Sequence, residues 1–145
     1  MTMNNTPSWF SYKGRYTRAQ FWPRYLLSIL IIGVIMHLLT PALTNPYMYY
    51  TALFGVVIVL AAPLLIKRMH DRGHSSAIIW IQYALGYAMP ISNEMSRGNL
   101  TTAVMIMAMT MLGLSIVLFF IILVRLCRDS EKGTNKYGPS SKYPD

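Results

Sequence analysis

The chain has 145 residues, 54% hydrophobic and only 12% charged, with a net charge of +8 and a single cysteine, Cys127. That charged share is about half the roughly 25% usual for soluble domains. So much apolar surface excludes a disordered chain, and one cysteine excludes a disulfide scaffold. The expectation is a small polytopic membrane protein in one domain.

The elements follow in chain order. Thr17 and Gln20 have the spacing of a capping box, with Tyr16 and Phe21 at the two staple positions, so a helix starts at Thr17. Pro23 lies in its second turn and is expected to kink it as it enters the bilayer. About 20 apolar residues cross a hydrocarbon core of about 30 Å. On that measure the spans are 23–43, 47–66, 76–91 and 100–124, the third being the shortest. Pro63 is expected to bend the second span near its end. The first run starts late and has span length, which reads as a span and not as a cleaved leader. The cytoplasmic tail is 125–145, and its part from Ser130 to Asp145 is polar, rich in Gly, Ser, Pro and Lys, and expected to be largely irregular.

The charges orient these spans. Lys13, Arg15, Arg18 and Arg24 precede the first, Lys67, Arg68 and Arg72 sit in the second link, and Arg125, Arg128, Lys132, Lys136 and Lys142 follow the last. The first link, Thr44-Asn45-Pro46, is uncharged, and the third holds only Arg97, beside Glu94. The positive-inside rule then puts both termini and the second link in the cytoplasm, which an even number of spans requires. The fold class expected is an all-α integral membrane bundle of four transmembrane helices with both termini cytoplasmic. In a soluble protein this basic balance would point to nucleic acid. Here the cations border spans, where they serve insertion and meet anionic lipid headgroups, and no nucleic-acid partner is expected.

Three polar segments carry the remaining information. Gly14, Arg15, Arg18, Phe21 and Trp22 form a Gly-Arg-x-x-Arg-x-x-aromatic-Trp run before the first span. Arg68, His70, Asp71, Gly73 and Ser75 form an Arg-x-His-Asp-x-Gly-x-Ser link. Gly133, Thr134, Asn135, Lys136, Tyr137, Gly138 and Pro139 close the chain with a Gly-Thr…Asn-basic-aromatic-Gly-Pro tail. In these three ordered motifs the sequence resembles the bacterial inner-membrane proteins catalogued as domain of unknown function 805. It departs from them in having Ser76, Ala77 and Ile78 where aromatics are usual, and in a tail shorter by a couple of residues between Thr134 and Asn135. The resemblance implies a multi-pass helical protein of the bacterial inner membrane and supplies no biochemical activity.

The candidate site residues are Arg15, Arg18, Arg68, His70, Asp71 and Arg72, all on the side assigned to the cytoplasm. One reading is a lock: Asp71 pairs with Arg15, Arg18 or Arg68, and the tail packs across them, because charges near the interface are costly unless paired. Another is a clamp for a phosphate-bearing ligand or lipid headgroup, since the arginine fork gives an oxyanion two parallel hydrogen bonds. His70 and His74 fall on one face if the helix continues past Ile66, but Gly73 interrupts it and no metal site is expected.

Catalysis finds no H-E-x-x-H, P-loop or G-x-S-x-G signature. The remaining enzymatic candidates are His70 and Asp71, with Ser75 nearby. No catalytic residue and no cofactor is expected. For a transporter or channel subunit the only ionisable group inside a span is His37, and Gln82 sits at a different depth. Met105, Met107, Met109 and Met111 alternate along the fourth span, so a helix splits them between opposite faces; they read as packing, not as a copper cage. Cys127 is expected to be a reduced thiol facing the cytosol. Gly33, Gly55, Gly86 and Gly113 allow close helix contact within or between copies. The leading functional reading is a non-enzymatic protein whose basic face contacts anionic lipid or a protein partner, with a homo-oligomer left open.

Overall fold

The computed structural model describes residues 8–95, 102–140 and 142–143, with the side chains of Tyr47 and residues 89–95 left out. The expected third link with Arg97 lies outside these residues, as does the Glu94 side chain beside it. The described residues form five helices: α1 (Arg18–Leu39), α2 (Pro46–Leu60), α3 (Ala62–Asp71), α4 (Ala77–Met95) and α5 (Thr102–Cys127). A 3-10 turn, Thr40–Ala42, extends α1. No strand occurs among the described residues; a single antiparallel bridge joins Asn135 to Gly138.

Local chemistry accounts for each start and stop. The Thr17 capping box is formed: the Gln20 N–H donates to Thr17 Oγ1 and the Thr17 N–H to Gln20 Oε1. Tyr16 and Phe21, at the staple positions, are both buried in one apolar cluster with α3. The expected kink at Pro23 does not break α1, which runs continuously over it. Asn45 caps α2 by accepting from the Met48 N–H at 2.8 Å, ahead of Pro46 at the first helical turn.

The second expected span does break at its proline. Pro63 has no N–H for the preceding turn, and α2 and α3 meet at Ala61 with a bend of 43°. The Tyr12 hydroxyl donates to the Ile58 carbonyl beside the break, at 3.0 Å. α3 then continues past Ile66 to Asp71 and stops in a Schellman motif. The Gly73 N–H donates to His70 O and the His74 N–H to Met69 O, with Gly73 left-handed at φ +68°. His74 therefore leaves the helix axis and shares no face with His70. Among the described residues no group of three His, Cys, Asp or Glu is placed to hold a metal.

Two helices are long and apolar enough to cross a membrane: α1 with its 3-10 extension, mean hydropathy 2.0, and α5, mean hydropathy 2.7. The bent α2–α3 pair counts as a third if taken as one broken span, and the apolar part of α4, Ala77–Ala88, is shorter. Large apolar side chains point outward from both long helices, among them Leu30 and Leu38 of α1 and Ile106, Met109 and Phe120 of α5. A helix apolar on all sides with little of it covered belongs in lipid. The chain is a membrane protein.

α3 is the opposite case, because every one of its ten residues is buried. It lies where the beginning of α1, the beginning of α4 and the end of α5 converge in an apolar cluster around Leu64, Met69, Ile79 and Ile122. A separate cluster of Ile32, Met36 and Ala61 joins α1 to α2. The tail beyond α5 has little regular structure, as expected, but it is not loose: residues 128–140 fold back over the end of α3 and build a polar cap on the bundle.

Gly73 is the tightest point of that fold-back. A Cβ there would meet Glu131 Oε2 at 2.6 Å in a left-handed backbone. Gly73→Ala is expected to cost about 1–2 kcal/mol, with Gly73→Asn costing less, in chemical unfolding of the detergent-solubilised protein. Adding Glu131→Ala should recover only the steric part.

Candidate functional site

A helix ends with carbonyls that have no intrahelical partner. α3 and α5 end side by side, so their carbonyls gather at one place together with the negative ends of both dipoles. The arginines of the first two polar segments answer that need. Arg68, on α3, donates from Nε to Leu126 O at 3.1 Å, from Nη1 to Tyr16 O at 3.2 Å, and from Nη2 to Arg128 O. Arg72 donates to Asp129 O at 2.5 Å and Arg18 to Cys127 O at 3.4 Å.

Arg15 arrives from the segment before α1 and reaches across the end of α3. Its Nη1 donates to Gly133 O and Gly138 O, both at 2.9 Å. Its Nη2 donates to Glu131 O at 2.7 Å and Asp71 O at 3.3 Å, and its Nε to Asp71 Oδ1 at 3.3 Å. A guanidinium has five N–H donors, and here all five are occupied. The tail presents the two glycine carbonyls through a tight turn in which Asn135 and Gly138 exchange both main-chain hydrogen bonds. Asn135 Nδ2 also donates to His70 O, another carbonyl at the end of α3, at 3.1 Å.

Asp71 closes the centre. It is fully buried, with Oδ1 on Arg15 and Oδ2 on Arg68 Nη1 at 2.5 Å. Arg15, Arg68 and Lys67 make three buried cations against this one carboxylate. Main-chain carbonyls supply the rest of the compensation. Lys67 donates to Ser8 O at 2.6 Å and Trp9 O at 3.0 Å, and lies 4.2 Å from the centre of the Tyr16 ring.

The six residues singled out from sequence thus fall into different environments. Arg15, Arg68 and Asp71 form the buried network. Arg18 does not join Asp71; it is exposed and pairs with Asp129 at 3.5 Å. Arg72 is half-buried, and its Nε has no partner among the described residues. His70 is stacked flat on Tyr137 at 3.7 Å, with Nδ1 buried and without a hydrogen-bond partner among the described residues. Asp129, Glu131 and Lys67 were not foreseen as part of the arrangement. Asp129 and Glu131 follow a span end in a stretch of mixed charge, and nothing in that pattern specifies which carbonyls or cations they meet.

Asp129 anchors the end of the tail. Lys142 Nζ approaches its two oxygens at 2.6 and 2.7 Å, Tyr143 Oη donates at 3.1 Å, and the Ser130 N–H at 2.9 Å. These donors, the Lys142 ammonium first, hold the Asp129 carboxyl well below the usual carboxylate range, and Asp129 in turn raises Lys142. His74, by burial first and then by Arg125 and Arg72, is held below the ordinary histidine value.

A family model described as protein of unknown function (DUF805) matches residues 9–139. The chain belongs to that family. The match takes in all three motif segments and so the whole Arg15–Arg68–Asp71 network. No curated protein and no solved structure matches the chain significantly.

Four outcomes follow from this geometry. Asp71→Asn leaves two buried guanidiniums without their counter-charge and is expected to cost about 3–5 kcal/mol. Arg15→Lys, with three donors in place of five, should also destabilise strongly, whereas exposed Arg18→Ala should stay within about 0.5 kcal/mol of the parent. Denaturant unfolding in detergent, followed by circular dichroism, checks all three. For Asp129, folded-state depression means that its contribution to tail closure is complete above the unfolded value of about 3.9. It is lost as pH falls below that, through the depressed value. The carboxyl titration followed by NMR should have its midpoint below the ordinary range, and Lys142→Met or 1 M salt should return it toward that range, because the pair is exposed and screened.

Proposed function

We propose that the chain is a non-enzymatic protein of the bacterial inner membrane, crossing it four times at about 23–43, 47–66, 76–91 and 100–124. In this reading both termini, the α3–α4 link and the polar cap are cytoplasmic. The cap is a folded platform whose outer cations contact anionic lipid headgroups, with a protein partner as the further candidate. The observation that carries the reading is the saturation of Arg15: with five donors spent on four carbonyls and Asp71, it has none left for a ligand.

Asp71, with both oxygens taken by arginines, is equally unavailable as a general base, which weighs against an enzyme built on His70 and Asp71. The cations that remain at the surface are Lys13, Arg18, Arg128, Lys132, Lys136 and Lys142. Of the original candidates, Arg18 is therefore the one proposed for headgroup contact; Arg15, Arg68 and Asp71 are assigned to holding the cap, as is half-buried Arg72 through Asp129 O. Each cation near an anionic surface contributes about 1 kcal/mol, so a handful gives a durable, salt-sensitive contact.

The topology is checked by cysteine labelling. Cys127, the natural cysteine, should react with a membrane-impermeant maleimide only after cells are permeabilised. Asn45→Cys in a Cys127→Ser background should react from outside in intact cells. Labelling of both from one side would overturn the four-span arrangement. The lipid contact is checked by native mass spectrometry from nanodiscs of mixed zwitterionic and anionic lipid. Lys13, Lys132 and Lys136 changed together to Gln should lower retained anionic lipid severalfold, and unchanged retention would remove the headgroup from the proposal.

A further inference from the structure

The bend between α2 and α3 has a second effect besides carrying α3 into the cap. It opens a cavity of about 380 Å³ directly beneath the cap, within the size range of small-molecule sites. Trp22 of α1, Ala61 and Leu65 on either side of the bend, and Phe119 of α5 wall it, with Gln82 and Tyr83 of α4. Its described lining contains no charged side chain. A second cavity, about 240 Å³, shares Val57, Gln82 and Tyr83 with the first and continues between α2 and α4 toward Tyr50 and Tyr87. Gln82 and Tyr83 thus stand where the two meet.

These two residues are the polar anomaly of the bundle. Gln82 Oε1 and Tyr83 Oη are buried and have no hydrogen-bond partner among the described residues. A buried, unpaired polar atom in apolar surroundings costs about 1–3 kcal/mol. Gln82 is not free to swing away, because its amide nitrogen donates to Ser115 Oγ on α5 at 2.8 Å. The geometry points to a ligand that supplies what both atoms lack. We propose that the joined cavities hold an uncharged amphiphile with a long apolar body and a hydroxyl, the hydroxyl seated between Gln82 and Tyr83.

Three features select that chemistry. The apolar walls and the surrounding bilayer favour a hydrocarbon body. The uncharged lining disfavours a phosphate or carboxylate head, whose desolvation nothing there would offset. A hydroxyl both donates and accepts, so it pairs with a tyrosine hydroxyl and with either end of the Gln82 amide. The site is separate from the cap: it uses neither Arg15 nor Asp71, and its test is independent of where the cap's cations dock.

The probe is dibrominated octadecanol, whose bromines quench tryptophan, read on Trp22 in a Trp9→Phe, Trp80→Phe background in zwitterionic nanodiscs. The alcohol is expected to quench saturably at low mole fraction and to raise the unfolding temperature. Dibrominated octadecane, which lacks the hydroxyl, should quench only in proportion to its share of the bilayer. Tyr83→Phe should weaken the alcohol about three- to tenfold, the size of one neutral hydrogen bond, and abolish most of the thermal shift. Without any alcohol, Tyr83→Phe should be at least as stable as the parent, since it removes a group that no described residue satisfies. Equal quenching by alcohol and alkane would overturn the proposal. So would a marked loss of stability in Tyr83→Phe without the probe, which would mean that water already pairs the hydroxyl.

Discussion

Where two helices stop together, their last carbonyls and the negative ends of their dipoles crowd one small volume, and something must donate to them. In this protein α3 and α5 end side by side, and four arginines answer. Arg68 serves the end of α5 from α3, while Arg15 serves the end of α3 and the tail from ahead of α1. Asp71 between them lets two guanidiniums be buried a few ångströms apart. The three polar segments, far apart in the chain, are parts of one structure because each supplies donors or carbonyls that the others lack.

That constraint changes how the basic residues should be weighed. A sequence rich in arginine beside membrane spans invites an anion-binding interpretation. Desolvated guanidiniums committed to carbonyls have little to offer a passing ligand. The cations that stay in water are a different set, spread over the outside of the cap. The interior chemistry of the cap is thus committed to its own carbonyls and to Asp71.

One proline shapes both halves of the molecule. Without the break before Pro63, α2 would run straight, and Lys67, Arg68 and Asp71 would not be tucked under the starts of α1 and α4. The bend of 43° buries all of α3 and leaves the cavity walled by Ala61, Leu65 and their neighbours. Packing alone would close such a space with larger side chains. Here Gln82 and Tyr83 occupy its edge instead, with polar atoms that no described residue satisfies.

Much of this was written locally in the sequence. The Thr17–Gln20 box, the Pro63 bend, the stop at Gly73 and the apolar lengths of α1 and α5 each depend on residues a few positions apart. Their physics is that of a single turn or a single helix. The membership of one family was legible for the same reason, since its motifs are short and ordered. The tertiary structure decided which arginine meets Asp71, since Arg15, Arg18 and Arg68 all carry the same charge and differ only in where folding puts them. It also decided that the tail is a clasp and not a loose end. Gly133 and Gly138 contribute backbone carbonyls, which every residue has, so no side-chain pattern could assign them to Arg15. Hydrogen bonds to the main chain across more than a hundred residues become visible only when the helix ends have come together.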